Sequence, residues 1–311
     1  MSVLSLWSLL PHGTKILGSR FSMKSYPFPY LTPESIRKFI QGALDEDLGT
    51  GDVSSNGAIP QDVQSKAVLK IKEDGVIAGI DLAQTIFLQL DPALVFEAYV
   101  SDGQEVRKGD VGFEVRGKAR SIVSAERVVL NCLQRMSGIA TKTRHMAQLI
   151  VHTKARLLDT RKTTPNSRLI EKWAVVIGGG HNHRFGLFDM VMLKDNHIDF
   201  AGGIIPALQA VHSYLKKNQL QLKVEVETRN LEEFNVALDS GLADIIMLDN
   251  YSIDNMRTAV ELGKGRVPLE ASGNVTEDTI VAIAETGVDF ISVGALTHSY
   301  KSLDFSLKAS V

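Results

Sequence analysis

A chain of 311 residues, 44% hydrophobic and 23% charged, can bury one large core or two medium ones, and its net charge of −2 gives no electrostatic case for nucleic acid as a partner. Any positive site must therefore be local. The single cysteine, Cys132, excludes an internal disulfide and a cysteine-built metal cluster; in the apolar run RVVLNCLQRM it reads as a small hydrophobe in a reducing compartment.

Residues 1–30 stand apart as a leader. From Met1 to Pro33 there is no Asp or Glu, while Lys15, Arg20 and Lys24 stand among six serines, the composition of an organellar transit segment. The apolar VLSLWSLL has no basic residue ahead of it, which argues against secretion; a plain extension instead of a leader would leave the chain cytoplasmic. No apolar run approaches the roughly 18 residues that span a bilayer, so no membrane partner is expected.

LTPESIRKFIQGAL reads as a helix capped by Thr32 with Pro33 in its first turn. The β-rich segments SKAVLKIKEDGVIAGI and SDGQEVRKGDVGFEVRGKA, with Asp-Gly and Gly-Asp turns, predict hairpins. Paired hairpins of this kind also resemble lipoyl- or biotinyl-like carrier modules, but Lys108, the one candidate for modification, lacks the neighbours such a lysine keeps.

From about residue 125 the pattern turns helical and then alternates. ARLLD, DMVMLKD, LKVEVE, DIIMLDN, VPLEASG and DFISVGA each follow a helical or loop stretch, as parallel strands of an α/β fold do. Their carboxyl ends carry Asp159 and Arg161, Lys194, Glu227, Asp249, Ser272 and Gly294, at the end where a (β/α) barrel keeps its site. Alternation puts Glu225 and Glu227 on one face, opposite Val224 and Val226. GGGHNHRFG lacks the G-x-G-x-x-G spacing and the preceding strand of a dinucleotide fold, so a barrel is favoured.

Between Lys154 and Lys194 eight basic residues face three acids, an excess of five positive charges inside a slightly acidic protein. An anionic ligand is implied. Arg161, Lys162, Arg184 and Lys194 lie at or after strand ends, and arginine forks suit carboxylate or phosphate. Lys154, Arg156, Arg168 and Lys172 read as solvated charges. Glu227 and Asp249, on successive strand ends, are spaced for a hard cation such as magnesium, for sugar hydroxyls, or for pairing with Lys194 and Lys223. Ser272, Gly273 and Asn274, then Val293, Gly294 and Ala295, form two strand-to-helix loops of the kind that cradle phosphate. His181 and His183 make an H-x-H pair in a loop, with no acid arranged around it for a zinc site; His183, beside Arg184, is expected to hydrogen-bond an anion.

The segments DVSSNGAIP, KEDGVIAG, AERVVLNCLQRMSGIAT, DTRKTTP, KWAVVIGGGHNHRFGLFDMVMLKDNHI, VEVET, IMLDN, EASGNVT and SVGALTHS together resemble the quinolinate phosphoribosyltransferase family from about Leu31 to the C-terminus. The resemblance implies an incomplete (β/α) barrel over 131–298 and an N-terminal α+β open-sandwich domain over 31–130, joined by 299–311. It implies transfer of phosphoribose from 5-phosphoribosyl-1-pyrophosphate to quinolinate with decarboxylation, giving nicotinate mononucleotide, pyrophosphate and carbon dioxide. Carried over residue by residue, Thr160, Arg161, Lys162, His183 and Arg184 match the dicarboxylate pocket, and Lys194 the lysine between quinolinate and pyrophosphate. Glu227 and Asp249 match the ribose and magnesium carboxylates; Ser272 to Asn274 and Val293 to Ala295 match the 5-phosphate cradle. Arg127 matches an arginine supplied by a neighbouring subunit, which implies at least a homodimer, or a hexamer built from it. Ser54 stands where relatives often carry threonine, and the hydroxyl is kept. Plant members are the most similar in character, so a plastid is favoured over a mitochondrion. A phosphate-binding barrel isomerase or lyase would share the last two loops but gives no reason for DTRK together with NHR and KDNH.

Overall fold

The computed structural model describes residues 29–310, so all but the last two positions of the expected leader lie outside the described residues. Helix α1 (Pro33–Leu48) begins where the sequence predicts: Thr32 accepts from the Ser35 amide at 3.1 Å, Ser35 returns the bond to the Thr32 amide, and Pro33 occupies the first turn. A short α2 (Val53–Ala58), capped by Asp52, leads into β1 (Gln64–Ile71), β2 (Gly75–Val76), α3 (Ile80–Leu90), β3 (Val95–Ala98), β4 (Glu105–Val106) and β5 (Val111–Lys118).

These strands form one antiparallel sheet and a small ribbon. In β1, Ala67, Leu69 and Ile71 are buried while Lys66 and Lys70 lie on the other face, the alternation of a sheet covered on one side. Helix α4 (Ala119–Leu149) packs on that sheet. It runs straight through residue 130, where the sequence reading sets a domain boundary, so the two bodies share a helix instead of a linker. Cys132 is buried within it.

The rest alternates strand and helix: β6 (Arg156–Leu158), α5 (Arg168–Ile177), β7 (Val191–Leu193), α6 (Asp195–Ala201), α7 (Ile204–Lys217), β8 (Val224–Thr228), α8 (Leu231–Ser240), β9 (Ile245–Asp249), α9 (Ile253–Gly263), β10 (Leu269–Ser272), α10 (Ile280–Ala284), β11 (Phe290–Ser292) and α11 (Ala295–His298). The strands are parallel in the order β6-β11-β10-β9-β8-β7. The first strand thus pairs with the last, curling the sheet round, while β6 and β7 remain unpaired with each other: the barrel is incomplete. At that seam a single parallel bridge joins Leu158 to His181, so the GGGHNHR loop stands where a further strand would. Finally β12 (Phe305–Ser310) returns to pair antiparallel with β1, from Ala67 opposite Ala309 to Ile71 opposite Phe305. Among the described residues no helix is long and apolar enough to cross a membrane.

Candidate active site

The loop after β6 explains its own sequence. Thr160 accepts from the Lys162 amide at 3.0 Å, Thr297 donates to the Lys162 carbonyl at 2.9 Å, and Thr163 accepts from Arg168 Nε at 3.0 Å. Thr164 accepts from Arg135 at 2.8 Å, and its amide donates to Glu171 at 3.1 Å. The threonines thus anchor the backbone, and Arg161 and Lys162 are left to face outward from it. Neither makes a salt bridge among the described residues. Arg161 Nε is buried with no hydrogen-bond partner. Arg184 is 9% exposed, and burial lowers its pKa, with the charge of nearby Arg161 lowering it further. Two adjacent arginines, one with an orphaned buried donor, are costly unless an anion joins them.

Lys194 directly follows β7 and reaches Glu227 Oε2 at 3.9 Å, the outer limit of ion pairing. Glu227, on β8, has its pKa raised, first by burial and further by the negative charges of Asp249 and Asp195, against the pull of Lys194. Ser272 stands level with Asp249 in the β9–β10 register, so a carboxylate and a hydroxyl share one rim. Carboxylates crowded in this way, with one lysine at the limit of reach, form an oxygen donor set that fits a hard divalent cation.

Two glycines keep the remaining rim open. Gly273 has φ +96°, and a Cβ there would lie 2.2 Å from Asn250 Oδ1. Asn250 in turn accepts from Asn274 Nδ2 at 3.0 Å and donates to Asp249 at 2.9 Å, knitting the loops after β9 and β10 together. At Gly294 a Cβ would meet Lys162 Cδ at 2.9 Å. Its absence lets the lysine stem lie on the backbone before α11. An open cleft of about 530 Å³ begins here, lined by Lys162, Thr163, Thr164, Thr297 and His298 among others.

Beneath the rim the charges are paired. Asp159 and Lys172 are both fully buried and ion-paired with each other; Lys172 also donates to the His183 carbonyl at 3.1 Å, and Asp159 accepts from the His183 amide at 2.9 Å and from Asn182 at 2.5 Å. Burial raises the Asp159 pKa and lowers that of Lys172. This corrects two expectations: Lys172 is not solvated, and Asp159 is an anchor of the seam loop, not a group offered to the cavity. Arg168, also expected in solvent, is half-buried and spans two loops, donating to Thr163 and to the Phe185 carbonyl at 3.1 Å.

His183 differs too. Its Nδ1 accepts from the Arg184 amide at 2.7 Å, so the proton of the neutral ring sits on Nε2, which faces Glu225 Oε2 at 2.9 Å and Glu270 Oε2 at 3.6 Å. Both ring nitrogens are therefore engaged by the protein, not offered to an anion. The acids absent around the H-x-H pair in sequence are brought to it by β8 and β10. The three ligand atoms lie within 4.8 Å of one another, the spacing of a metal site. However, burial pushes Glu225 up to about 7 and Glu270 up to about 8, and Oε1 of each lacks another donor. A proton between the two carboxyls satisfies both, so the cluster suits a proton better than a cation. Burial holds the His183 pKa low, consistent with a neutral ring.

The fold therefore brings Arg161, Lys162, Arg184, Lys194, Glu227, Asp249, Ser272, Gly273, Asn274, Val293, Gly294 and Ala295 to the carboxyl end of one barrel, with Thr160 and His183 supporting it. Arg127 is not among them: it lies on an exposed stripe of α4 with Val123 and Asn131. Sequence reasoning missed Glu270 and the Asn250–Asn274 bridge. Glu225 and Glu270 did leave a signal, each being two residues below a rim group on its strand.

The quinolinate phosphoribosyl transferase C-terminal domain model matches residues 139–308, and the N-terminal domain model of the same family matches residues 52–137. The chain is 52% identical over 288 residues to a protein named mitochondrial quinolinate phosphoribosyltransferase [decarboxylating] 2b from Nicotiana tabacum, covering 88% of this chain and 82% of the relative. A chloroplastic nicotinate-nucleotide pyrophosphorylase [carboxylating] from Oryza sativa subsp. japonica is also 52% identical, with 88% and 77% covered. Among solved structures, the nicotinate-nucleotide pyrophosphorylase from Francisella tularensis superposes with a TM-score of 0.81 at 41% identity, covering 90% of this chain and 98% of that one.

Proposed function

The chain belongs to the quinolinate phosphoribosyltransferase family, and from that premise we propose how its barrel mouth carries the reaction. The enzyme transfers phosphoribose from 5-phosphoribosyl-1-pyrophosphate to the ring nitrogen of quinolinate and releases pyrophosphate and carbon dioxide, leaving nicotinate mononucleotide. Arg161 and Arg184 hold the two carboxylates of quinolinate, with Lys162 beside them. The observation that carries this reading is the orphaned, buried Nε of Arg161 next to a second arginine, neither in a salt bridge among the described residues. A dianion satisfies both, and each charge-assisted bond is worth about 1.5 to 3 kcal/mol.

No general base is required, because the pyridine nitrogen already carries a lone pair. It displaces pyrophosphate at the anomeric carbon; the N–C bond forms as the C–O bond to pyrophosphate breaks. What the protein supplies is position and charge: Lys194 stands between the dicarboxylate pocket and the Glu227–Asp249 rim, where the leaving group's charge develops. The quaternised ring then accepts the electron pair released when the adjacent carboxylate leaves as carbon dioxide, and that carbon takes a proton. Glu227 and Asp249 orient the ribose hydroxyls and would hold magnesium, which when bound neutralises pyrophosphate. Ser272 to Asn274 and Val293 to Ala295 cradle the 5-phosphate, where Gly273 and Gly294 admit close approach to backbone amides.

Arg127, exposed on α4, serves the site of a second copy, so the working unit is a homodimer, with a hexamer as a multiple of it. The acid-free residues ahead of Pro29 act as an organellar leader, one that stops short of position 30 because the Tyr30 ring is stacked on Phe185 in the fold; this is in keeping with the mitochondrial and chloroplastic names of the plant relatives, and a plastid is the destination we favour.

Purified full-length protein supplied with quinolinate, 5-phosphoribosyl-1-pyrophosphate and magnesium is expected to form nicotinate mononucleotide, detected by its ultraviolet absorbance, with release of carbon dioxide. Equal turnover of nicotinate without carbon dioxide, or no calorimetric heat with pyridine-2,3-dicarboxylate, overturns the reading.

A further inference from the structure

We infer that Tyr30 is a positioning residue for the dicarboxylate pocket, latching the 185–189 turn so that the Arg184 guanidinium is held at the barrel mouth. The inference rests on the role proposed above for Arg184.

Tyr30 lies just before α1 and is fixed by its cap: its carbonyl accepts from Ser35 Oγ at 2.7 Å, the same hydroxyl that completes the capping box. From there its ring reaches across to the seam of the barrel. It stacks on Phe185 with centroids 4.6 Å apart and an interplanar angle of 26°, and meets Phe188 edge-on at 6.0 Å. Its hydroxyl donates to the Asp189 carboxylate; burial, and then this bond, raise the phenol pKa. Asp189 closes the turn from within, accepting from the Phe185 and Gly186 amides at 2.7 Å each. At Gly186 a Cβ would lie 2.5 Å from the Phe188 ring, so a larger residue would push that ring from its place beside Tyr30.

The turn connects directly to the pocket. Arg184 precedes Phe185, and its Nη1 donates to the carbonyl of Met190 at 3.2 Å, so the guanidinium is tied to both ends of the segment Tyr30 grips. Arg168 links the same turn to the Arg161 loop, donating to the Phe185 carbonyl and to Thr163, with its guanidinium 6.0 Å from the Phe185 ring centroid. The tip of the turn packs on little: Leu187 is 72% and Phe188 65% exposed, so Tyr30 adds an aromatic face and a donor to a turn otherwise held by Asp189, Arg168 and Arg184. Without Tyr30, one face of Phe185 is uncovered and Asp189 loses an external donor.

The test is steady-state kinetics of the full chain carrying Tyr30→Ala or Tyr30→Phe, with thermal unfolding alongside. Tyr30→Ala is expected to raise KM for quinolinate about tenfold, the equivalent of one charge-assisted hydrogen bond, while KM for the pyrophosphate donor, kcat and Tm change little. Tyr30→Phe keeps the stacking and loses the hydroxyl, so a smaller rise is expected. An unchanged quinolinate KM in Tyr30→Ala overturns the proposal, as does a rise in both KM values with a fall in Tm, which would mark a general structural role. If the unmodified protein fails to turn over quinolinate, it is the reading of the site that has failed, and the latch falls with it.

Discussion

The two layers of the barrel's polar interior are built from the same residue types and used in opposite ways. At the mouth, Arg161, Lys162 and Arg184 have no salt-bridge partner among the described residues, and Lys194 only touches Glu227 at 3.9 Å. One level down, Lys172 and Asp159 satisfy each other, and His183, Glu225 and Glu270 form a closed cluster. Unpaired charge in a fold that can pair its charges marks where a ligand completes the balance; paired charge beneath it fixes the geometry of the layer above. Substitutions in the upper layer should therefore cost activity without stability, and those in the lower layer the reverse.

The sharpest test of that contrast is in the mouth. Arg161→Ala is expected to lower kcat/KM for quinolinate by about a thousandfold, from the loss of bidentate charge-assisted bonds, with Tm unchanged or slightly raised because a strained cation is gone. Lys194→Ala should lower kcat by roughly 100- to 1000-fold, as removal of a group aimed at developing charge does. Near-normal turnover by either folded variant would remove the basis for placing the dianion there.

Much of the upper layer was legible because barrel chemistry sits at strand ends, and the strand ends could be read from β-branched runs closing in Lys194, Glu227, Asp249 and Ser272. The lower layer was not, since nothing in the local sequence separates Lys172 from Arg161. Their fates differ because the first turns of α5 bring Lys172 over Asp159 in a space water does not enter, a tertiary fact with no periodic signature. Glu225 and Glu270 were half-legible: period two puts each on the cavity face, but only the curl of the sheet brings them to one histidine. Tyr30 left no signal at all, being joined to its partners by the path of the chain alone.

The next effect in size belongs to that buried pair. Lys172→Met removes a cation and leaves Asp159 charged and unpaired under a seam loop that depends on it, so unfolding in urea should show a loss of about 3 to 5 kcal/mol. Replacing both partners, as in Lys172→Met with Asp159→Leu, should recover part of that loss, since a well-packed apolar pair avoids desolvating the ions. A Lys172→Met protein as stable as the parent would mean that the lower layer is not the support argued for it.

Smaller again is the effect at the phosphate end. Gly294→Ala places a Cβ 2.9 Å from Lys162 Cδ, and the flexible stem gives way, so folding is preserved while Lys162 is displaced. Because the added methyl narrows the 5-phosphate cradle itself, KM for the pyrophosphate donor should rise by roughly tenfold, and the shift of Lys162 should raise KM for quinolinate by less. The opposite order of effects would move Lys162 wholly into the dicarboxylate pocket.

The smallest effect is a pH dependence of stability. Burial raises the Glu270 pKa from 4.5 to about 8, so the folded state holds a proton that the unfolded chain releases. Its favourable contribution is full below the ordinary carboxylate range and is lost as pH rises through about 8. Glu270→Gln keeps the shape and can still donate a hydrogen bond toward Glu225, without a group to ionise. The parent should therefore lose Tm between mildly acidic and mildly alkaline pH, and the variant should lose less, ending a few degrees higher on the alkaline side. Thermal scans of both proteins across that range decide it: parallel curves would mean that Glu270 ionises freely, and that no proton bridges the two carboxyls under His183.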